Sequence, residues 1–190
     1  MTDPVIVALD LGGVIVDVDP LAVARALHLP WADVERAVFS AGLHDDLTVG
    51  RVSADVFVSR AAAQLGRSAS EVRAAWAEVV TLTVDGRTLV EELVLRGHAV
   101  HLWSNTDPIH MDKIARDLPR QVVLETTSFA VGAQKPERSF FERTRRRGDP
   151  VVFLDDREEN VASARASGVA AHLCMGPREA KRILQEHGLA

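Results

Sequence analysis

The sequence predicts a doubly wound α/β fold: a parallel sheet with helices on both faces, into which a helical segment is set. Three observations carry this reading. Short apolar runs without strict alternation recur along the chain, the pattern of strands covered on both faces. Stretches of helical periodicity, each stopping on a glycine, separate the later runs and give a β-α-β-α rhythm. Residues 20–85 break that rhythm with helical patterns alone.

The elements follow in order. VIVAL (5–9) is the first strand and delivers Asp10, with Gly12 and Gly13 close behind. A carboxylate directly after a buried strand is costly unless something uses it. PLAVARALHLPWADVERAVFS, SADVFVSRAAAQLG and SASEVRAAWAEVVTL have helical spacing, and no strand is expected among them. SASE resembles a capping box; SADV fits it loosely because it ends in valine. GRTLVEELVLRG (86–97) is a helix, AVHLW (99–103) and QVVLETT (121–127) are strands, and PERSFFERTRRRG (136–148) is a helix. PVVFL (150–154) is the next strand, ENVASARASG (159–168) a helix, and VAAHLC (169–174) a fifth strand candidate. The length of 190 residues suffices for one core and a small insertion. The expected division is a core of residues 1–17 and 86–190 with a helical cap subdomain over residues 18–85.

Composition narrows the function classes. At 47% hydrophobic and 26% charged residues the chain is globular rather than disordered. A net charge of −5 argues against nucleic acid as the main partner. The basic cluster Arg143 to Arg147 reads as a solvated helix face. A single cysteine, Cys174, excludes an internal disulfide and fits a reducing compartment. No apolar stretch reaches the ~20 residues of a membrane helix. The N-terminus lacks the basic region of a signal peptide, so a cytoplasmic location is expected.

In open α/β sheets ligands bind beyond the carboxyl ends of the strands. Asp10 follows the first run, Ser104-Asn105-Thr106 the second, and Asp155-Asp156 the fourth, with Asn160 four residues on. Lys135 lies downstream of the third, in GAQKP. Each feature alone has a plain structural reading, since a serine or an Asp-Asp pair also starts helices. Together they assemble a site. Carboxylates from two strands suit a hard cation such as Mg²⁺. A lysine and a cation neutralise a phosphoryl group. Ser104 and N–H groups around Gly12 and Gly13 are donors for its oxygens, and Asp10 can act as a covalent nucleophile.

These segments resemble the haloacid dehalogenase-like (HAD) hydrolase superfamily. LDLGGVIVD, LWSNTD, VGAQKPERSFF and VVFLDDREENVASARASGV are similar to its four motifs, in order and over nearly the whole chain. Residues 20–85 stand where its helical-cap subgroup carries its cap. The resemblance implies a Rossmann-like core and a Mg²⁺-dependent phosphatase of a small phosphorylated metabolite, working through an aspartyl-phosphate on Asp10. It implies catalytic roles for Asp10, Ser104 and Lys135. Gly12, Gly13, Ser104, Asn105 and Lys135 would contact substrate. Asp10, the Gly12 carbonyl and Asp156 would hold the metal, with Asp155 in or near its shell, and Asn160 would orient the Asp155 loop. Exposed cap faces in such proteins can pair, so a monomer or a homodimer is expected.

One departure matters. Most phosphatases of the family carry a second aspartate two residues after the nucleophile, and here that position is Gly12. Such a general acid/base is typically worth ~10²–10⁴-fold. Leaving groups that need little protonation, such as an anomeric oxygen or an acyl group, would suffer least. His44, Asp45 or Asp46 of the cap is a candidate substitute, or these three form a solvated polar loop. Two alternatives remain open. One is a metal-free hydrolytic dehalogenase, against which the Asp155-Asp156 pair argues. The other is a catalytically weak binding protein, against which the retained Asp10, Ser104, Lys135 and Asp156 argue. Trp31, Trp76 and Trp103 read as packing residues, His101 as a hydrogen-bonded core histidine, and Cys174 as an inert buried thiol. Thr106 is a weaker candidate than Asn105, and both also read as the start of the next helix. Asp107 and His110 lie near enough in sequence to reach the substrate, and the sequence does not decide it.

Overall fold

The computed structural model describes residues 4–40 and 42–190. The chain opens with β1 (Ile6–Leu9) and β2 (Val16–Val18). It then runs through α1 (Ala22–Leu27), α2 (Trp31–Val34) with a π-helical continuation over Glu35–Ser40, α3 (Leu43–Thr48), α4 (Ala54–Leu65) and α5 (Ala69–Ala77). After β3 (Val80–Leu82) come α6 (Val84–Leu95), β4 (Ala99–Leu102), α7 (Pro108–Ile114), α8 (Ser128–Val131) and α9 (Arg138–Arg145). β5 (Val152–Asp155), α10 (Glu158–Ala166), β6 (Ala171–Leu173) and α11 (Pro177–Glu186) complete it.

Four strands form a parallel sheet in the order β4-β1-β5-β6. Successive strand side chains point to opposite faces. Val7 and Leu9, Val100 and Leu102, and Val152 and Leu154 therefore enter one apolar cluster, which also holds Leu89, Val90 and Leu93 of α6 and Ile183 and Leu184 of α11. Ala8 and Phe153 enter the other, with Phe140 and Phe141 of α9 and Val161 and Ala164 of α10. Burying one such large side chain contributes roughly 1.5–3 kcal/mol. This explains the absence of strict alternation in the strand runs: both faces are covered. The first cluster continues without a break into Val23, Leu47, Phe57 and Trp76, so the helices between β2 and β3 pack on the sheet domain rather than standing apart.

Two expectations need correction. A strand does interrupt residues 20–85. The helix of SASEVRAAWAEVVTL stops at Ala77, and β3 pairs antiparallel with β2, Val16 opposite Leu82 and Val18 opposite Val80. The Asp19 N–H donates to the Val79 carbonyl and the Thr83 N–H to that of Ile15, extending the ribbon beyond both ends. The Thr83 side chain then accepts from the Gly86 N–H and starts α6 two residues before the expected Gly86. QVVLETT, conversely, is not a strand. Only Val123 bridges to His101, and the chain turns back where the Thr127 N–H donates to the Leu124 carbonyl. The Thr126 and Thr127 hydroxyls donate to the Leu102 and Leu124 carbonyls, local bonds that compete with a ladder. Ser68 forms the full capping box with Glu71, whereas Ser53 accepts from Val56 without one, as the valine dictates.

Candidate active site

The carboxyl ends of β1, β4 and β5 converge. Asp10 follows Leu9, and its N–H donates to the Leu154 carbonyl at 2.9 Å, which fixes it between neighbouring strands. Asp155 closes β5, fully buried. The Lys135 ammonium lies 3.0 Å from Asp10 Oδ1 and 2.5 Å from Asp155 Oδ2. It is 5.3 Å from the centroid of the Phe153 ring. The remaining Asp155 contacts are the Arg157 N–H at 2.9 Å and the Asn160 amide at 2.9 and 3.1 Å. Both Asp155 oxygens are thus engaged by the protein. Asp10, Asp155 and Asp156 each present an oxygen within 4.8 Å of the others. The Asn160 Oδ1 is buried with no hydrogen-bond partner in the protein.

Gly13 shows why a glycine is needed there. It has φ +66°, and a Cβ would sit 2.2 Å from Asp156 Oδ2. The Gly13 N–H donates to the Val16 carbonyl at 3.0 Å, which removes it from the expected phosphoryl donors. Gly12 differs: a Cβ there meets only Val18 Cγ2, at 3.4 Å. A Cβ at Gly12 would therefore make only an ordinary van der Waals contact.

Charge at this edge is unbalanced. Burial pushes the Asp10 carboxyl up; the Lys135 charge pulls it down, Asp155 pushes it up, and hydrogen bonding from Ser104 and Lys135 lowers it, with a net rise. Burial, then the charges of Asp10 and Asp155, also raise Asp156. Three carboxylates share one lysine.

Above this floor a cavity of about 400 Å³ opens, with Asp10, Ser104, Lys135 and Asp156 on one side. Its other side is built by residues between β2 and β3, with Phe39, His44 and Trp76 supplying three rings. Their centroids lie 5.0 Å (Phe39–His44), 5.7 Å (His44–Trp76) and 6.0 Å (Phe39–Trp76) apart. The Trp76 Nε1–H donates to Asp107 Oδ2 at 2.9 Å, and the ring stacks on His110 at 5.3 Å and 12°. Both nitrogens of His110 face acceptors, Asp107 Oδ2 at 2.8 Å and the Trp76 carbonyl at 2.9 Å. Asp107 Oδ1 caps α7 by accepting from the Ile109 and His110 N–H groups. Burial would raise the Asp107 carboxyl, but the bonds and charge from His110 and the bond from Trp76 outweigh it and hold it low.

The structure brings Asp10, Gly12, Ser104, Asn105, Lys135, Asp156 and Asn160 to one cavity, with Asp155 directly behind Lys135. The Asn105 amide exchanges two 2.8 Å bonds with the Lys135 main chain, so its side chain holds the lysine loop. His44 faces the cavity, and burial lowers its pKa. Asp46 pairs with Arg51, and Asp45 is exposed. Trp76 is a packing residue, as expected, but also a cavity wall. His101 is buried, yet its Nδ1 has no hydrogen-bond partner. Burial pushes the Cys174 thiol up to about 12, in keeping with an inert residue. Arg143 is exposed, as expected of a solvated face, and also donates to the Val131 and Gly132 carbonyls. Sequence reasoning missed Phe39, which sits in an ordinary helical pattern. It also missed Ser128, whose hydroxyl accepts from the Thr106 N–H and donates to the Thr106 carbonyl. The Thr-Thr-Ser run at 126–128 was the available signal.

No family model matches the sequence, and no curated protein matches it. Solved structures do. A HAD-family enzyme from Bacteroides thetaiotaomicron, in complex with magnesium and inorganic phosphate, superposes with a TM-score of 0.74 at 21% identity, over 90% of this chain and 94% of that one. A predicted HAD-like family hydrolase from Porphyromonas gingivalis gives 0.70 at 23% identity, over 90% and 91%. An L-2-haloacid dehalogenase from Xanthobacter autotrophicus, with chloropropionic acid covalently bound, gives 0.59 at 16% identity, over 98% and 84%. The chain has the haloacid dehalogenase-like fold.

Proposed function

We propose that the chain is a Mg²⁺-dependent phosphatase of the HAD type, acting on a small phosphorylated metabolite in the cytoplasm. Residues 1–17 and 86–190 are its catalytic core and residues 18–85 its cap. The observation that carries this reading is the unbalanced charge at the sheet edge: three carboxylates with oxygens within 4.8 Å, one lysine, and Asp10 and Asp156 both pushed up. These residues fit a hard divalent cation. Asp10, the Gly12 carbonyl and Asp156 would hold it. Asp155, engaged by Lys135, Asn160 and the Arg157 N–H, acts from behind. When bound, the cation supplies the positive charge that lets a carboxylate and a phosphoryl group approach.

The chain's own groups account for the rest. An Asp10 carboxylate oxygen attacks phosphorus, and the bond to the leaving oxygen breaks with its electron pair on that oxygen. Water then attacks the phosphorus of the aspartyl-phosphate, Asp10 departs as a carboxylate, and inorganic phosphate keeps the protons of the water. Lys135 offsets charge on Asp10 and the phosphoryl group, and Ser104 hydrogen-bonds beside them. The cavity walls limit bulk water.

The test is phosphate release from a panel of phosphomonoesters and an acyl phosphate, with Mg²⁺ and with EDTA, for wild type and Asp10→Asn. Release that needs metal and falls on the order of 10⁴-fold or more in the variant is expected. Release that survives the substitution overturns the reading, and so does a panel with no release. Gly12 and the likeness to a haloacid dehalogenase favour a second reading, in which Asp10 displaces halide from carbon without metal. Halide release from 2-chloropropionate in EDTA would establish it.

A further inference from the structure

Resting on the phosphatase reading, the geometry points to a substrate class: phosphomonoesters of flat, apolar aryl alcohols, whose leaving oxygen departs without help from a protein acid. Two independent observations converge on it.

The first is the wall that faces the carboxylates. Phe39, His44 and Trp76 present three rings within 6.0 Å of one another. Val16, Val18 and Val79 add aliphatic surface around them. Apart from the His44 ring, whose Nδ1 lies 3.7 Å from Asp45 Oδ1, the polar groups of this wall are engaged. The Trp76 indole donates to Asp107, both His110 nitrogens face acceptors, and the Thr48 hydroxyl donates to the Asp45 carbonyl at 3.1 Å. The two cations lining the cavity are also paired, Lys135 with Asp10 and Asp155, and Arg157 with Glu159. A polyhydroxylated or doubly anionic leaving group would lose its hydration here and find few partners. An aromatic ring loses little and gains stacking and edge contacts. At about 400 Å³ the space lies at the small end of ligand sites, roughly 300–1,000 Å³.

The second observation is Gly12. No carboxyl stands there to protonate the leaving oxygen, yet a Cβ would meet only Val18 Cγ2, at 3.4 Å. The missing side chain therefore widens the cavity between the nucleophile and the apolar wall, at the loss of an acid. An alkoxide is a poor leaving group under those conditions, whereas an aryloxide leaves carrying its negative charge and takes a proton from solvent afterwards.

The experiment compares kcat/KM, with Mg²⁺, for 2-naphthyl, 4-nitrophenyl, benzyl and acetyl phosphates, glucose 1-phosphate and AMP. It uses wild type, Phe39→Ala, Phe39→Leu and Gly12→Asp. We expect 2-naphthyl phosphate to exceed the sugar and nucleotide esters by about 10²-fold. Phe39→Ala should raise KM for the naphthyl ester about tenfold more than for acetyl phosphate, with Phe39→Leu between. Gly12→Asp should raise kcat on benzyl phosphate by about 10²-fold and on 4-nitrophenyl phosphate by only a few fold. A preference for sugar or nucleotide esters overturns the proposal. So does a naphthyl-to-acetyl ratio indifferent to Phe39, or a benzyl rate indifferent to Gly12→Asp. Binding of a naphthylmethyl phosphonate to Asp10→Asn, followed by tryptophan fluorescence, separates the two levels. If the phosphonate binds but no ester is hydrolysed, the phosphatase reading fails and the wall's selectivity stands; if it does not bind, the proposal fails as well.

Discussion

The two sides of the cavity are built on different principles. The floor is a set of charges at the ends of parallel strands: Asp10 after β1, Asp155 at the end of β5, and Lys135 drawn between them. The wall is a set of rings on helices between β2 and β3, tied to α7 through the contacts of Trp76 with Asp107 and His110. Floor atoms are fixed by main-chain bonds and mutual charge, which suits chemistry that needs fixed distances. Wall atoms are fixed by packing, which tolerates exchange of one apolar shape for another. Reaction type and leaving-group choice can then vary separately.

Breaking the floor should cost most. Lys135→Met removes the sole cation between Asp10 and Asp155 while nearly preserving side-chain volume. Removing one partner of a buried ion pair costs about 3–5 kcal/mol. Urea unfolding without metal should show a loss of that size, and millimolar Mg²⁺ should recover part of it by occupying the same negative site. A loss under about 1 kcal/mol would mean that the carboxylates do not depend on Lys135 for compensation.

A smaller change tightens the floor instead of unpairing it. Gly13→Ala must hold a left-handed φ and place a Cβ 2.2 Å from Asp156 Oδ2. The backbone cost is about 1–2 kcal/mol. Displacement of Asp156 should raise the Mg²⁺ concentration needed for half-maximal activity. Unchanged metal dependence would remove Asp156 from the metal site.

The same contrast governs what the sequence could disclose. The floor was legible because it depends on one-dimensional facts: an apolar run, then a carboxylate, at β1 and β5. Asn160 follows from the same run, on α10 just after β5, whereas Lys135 reaches the floor although the run before it is no strand. The wall was legible only at His44, because Phe39 faces the cavity through the way the segment over Glu35–Ser40 packs on α3 and α4. Helical periodicity says which residues share a face, but not what that face meets. QVVLETT failed in the opposite sense. Its β-formers were read correctly as apolar, but Thr126 and Thr127 take the carbonyls of Leu102 and Leu124, and a single bridge at Val123 is what remains. Asn105 stands at the cavity as expected, and its amide reaches the Lys135 main chain, a contact no sequence pattern discloses.

Loosening the wall's tie should leave a diagnostic pH dependence. Asp107→Asn keeps the shape but loses the charge that accepts from Trp76 and His110 and caps α7. Charge-assisted bonds of this kind are worth about 1.5 kcal/mol or somewhat more. Because the Asp107 carboxyl is held below its ordinary value of 3.8 in the folded chain, its stabilisation is fully present above that value. It is lost as pH falls through the folded pKa. The stability gap between wild type and Asp107→Asn should therefore still be present at about pH 5 and close as the pH falls below about 4. His110 and His44 also face Asp107, and burial lowers the His44 pKa. A gap that widened on acidification would mean that Asp107 is a burden on the fold, kept for the position of Trp76 rather than for stability. That result would strengthen the separation of wall from floor, because the tie would then serve the shape of the cavity alone.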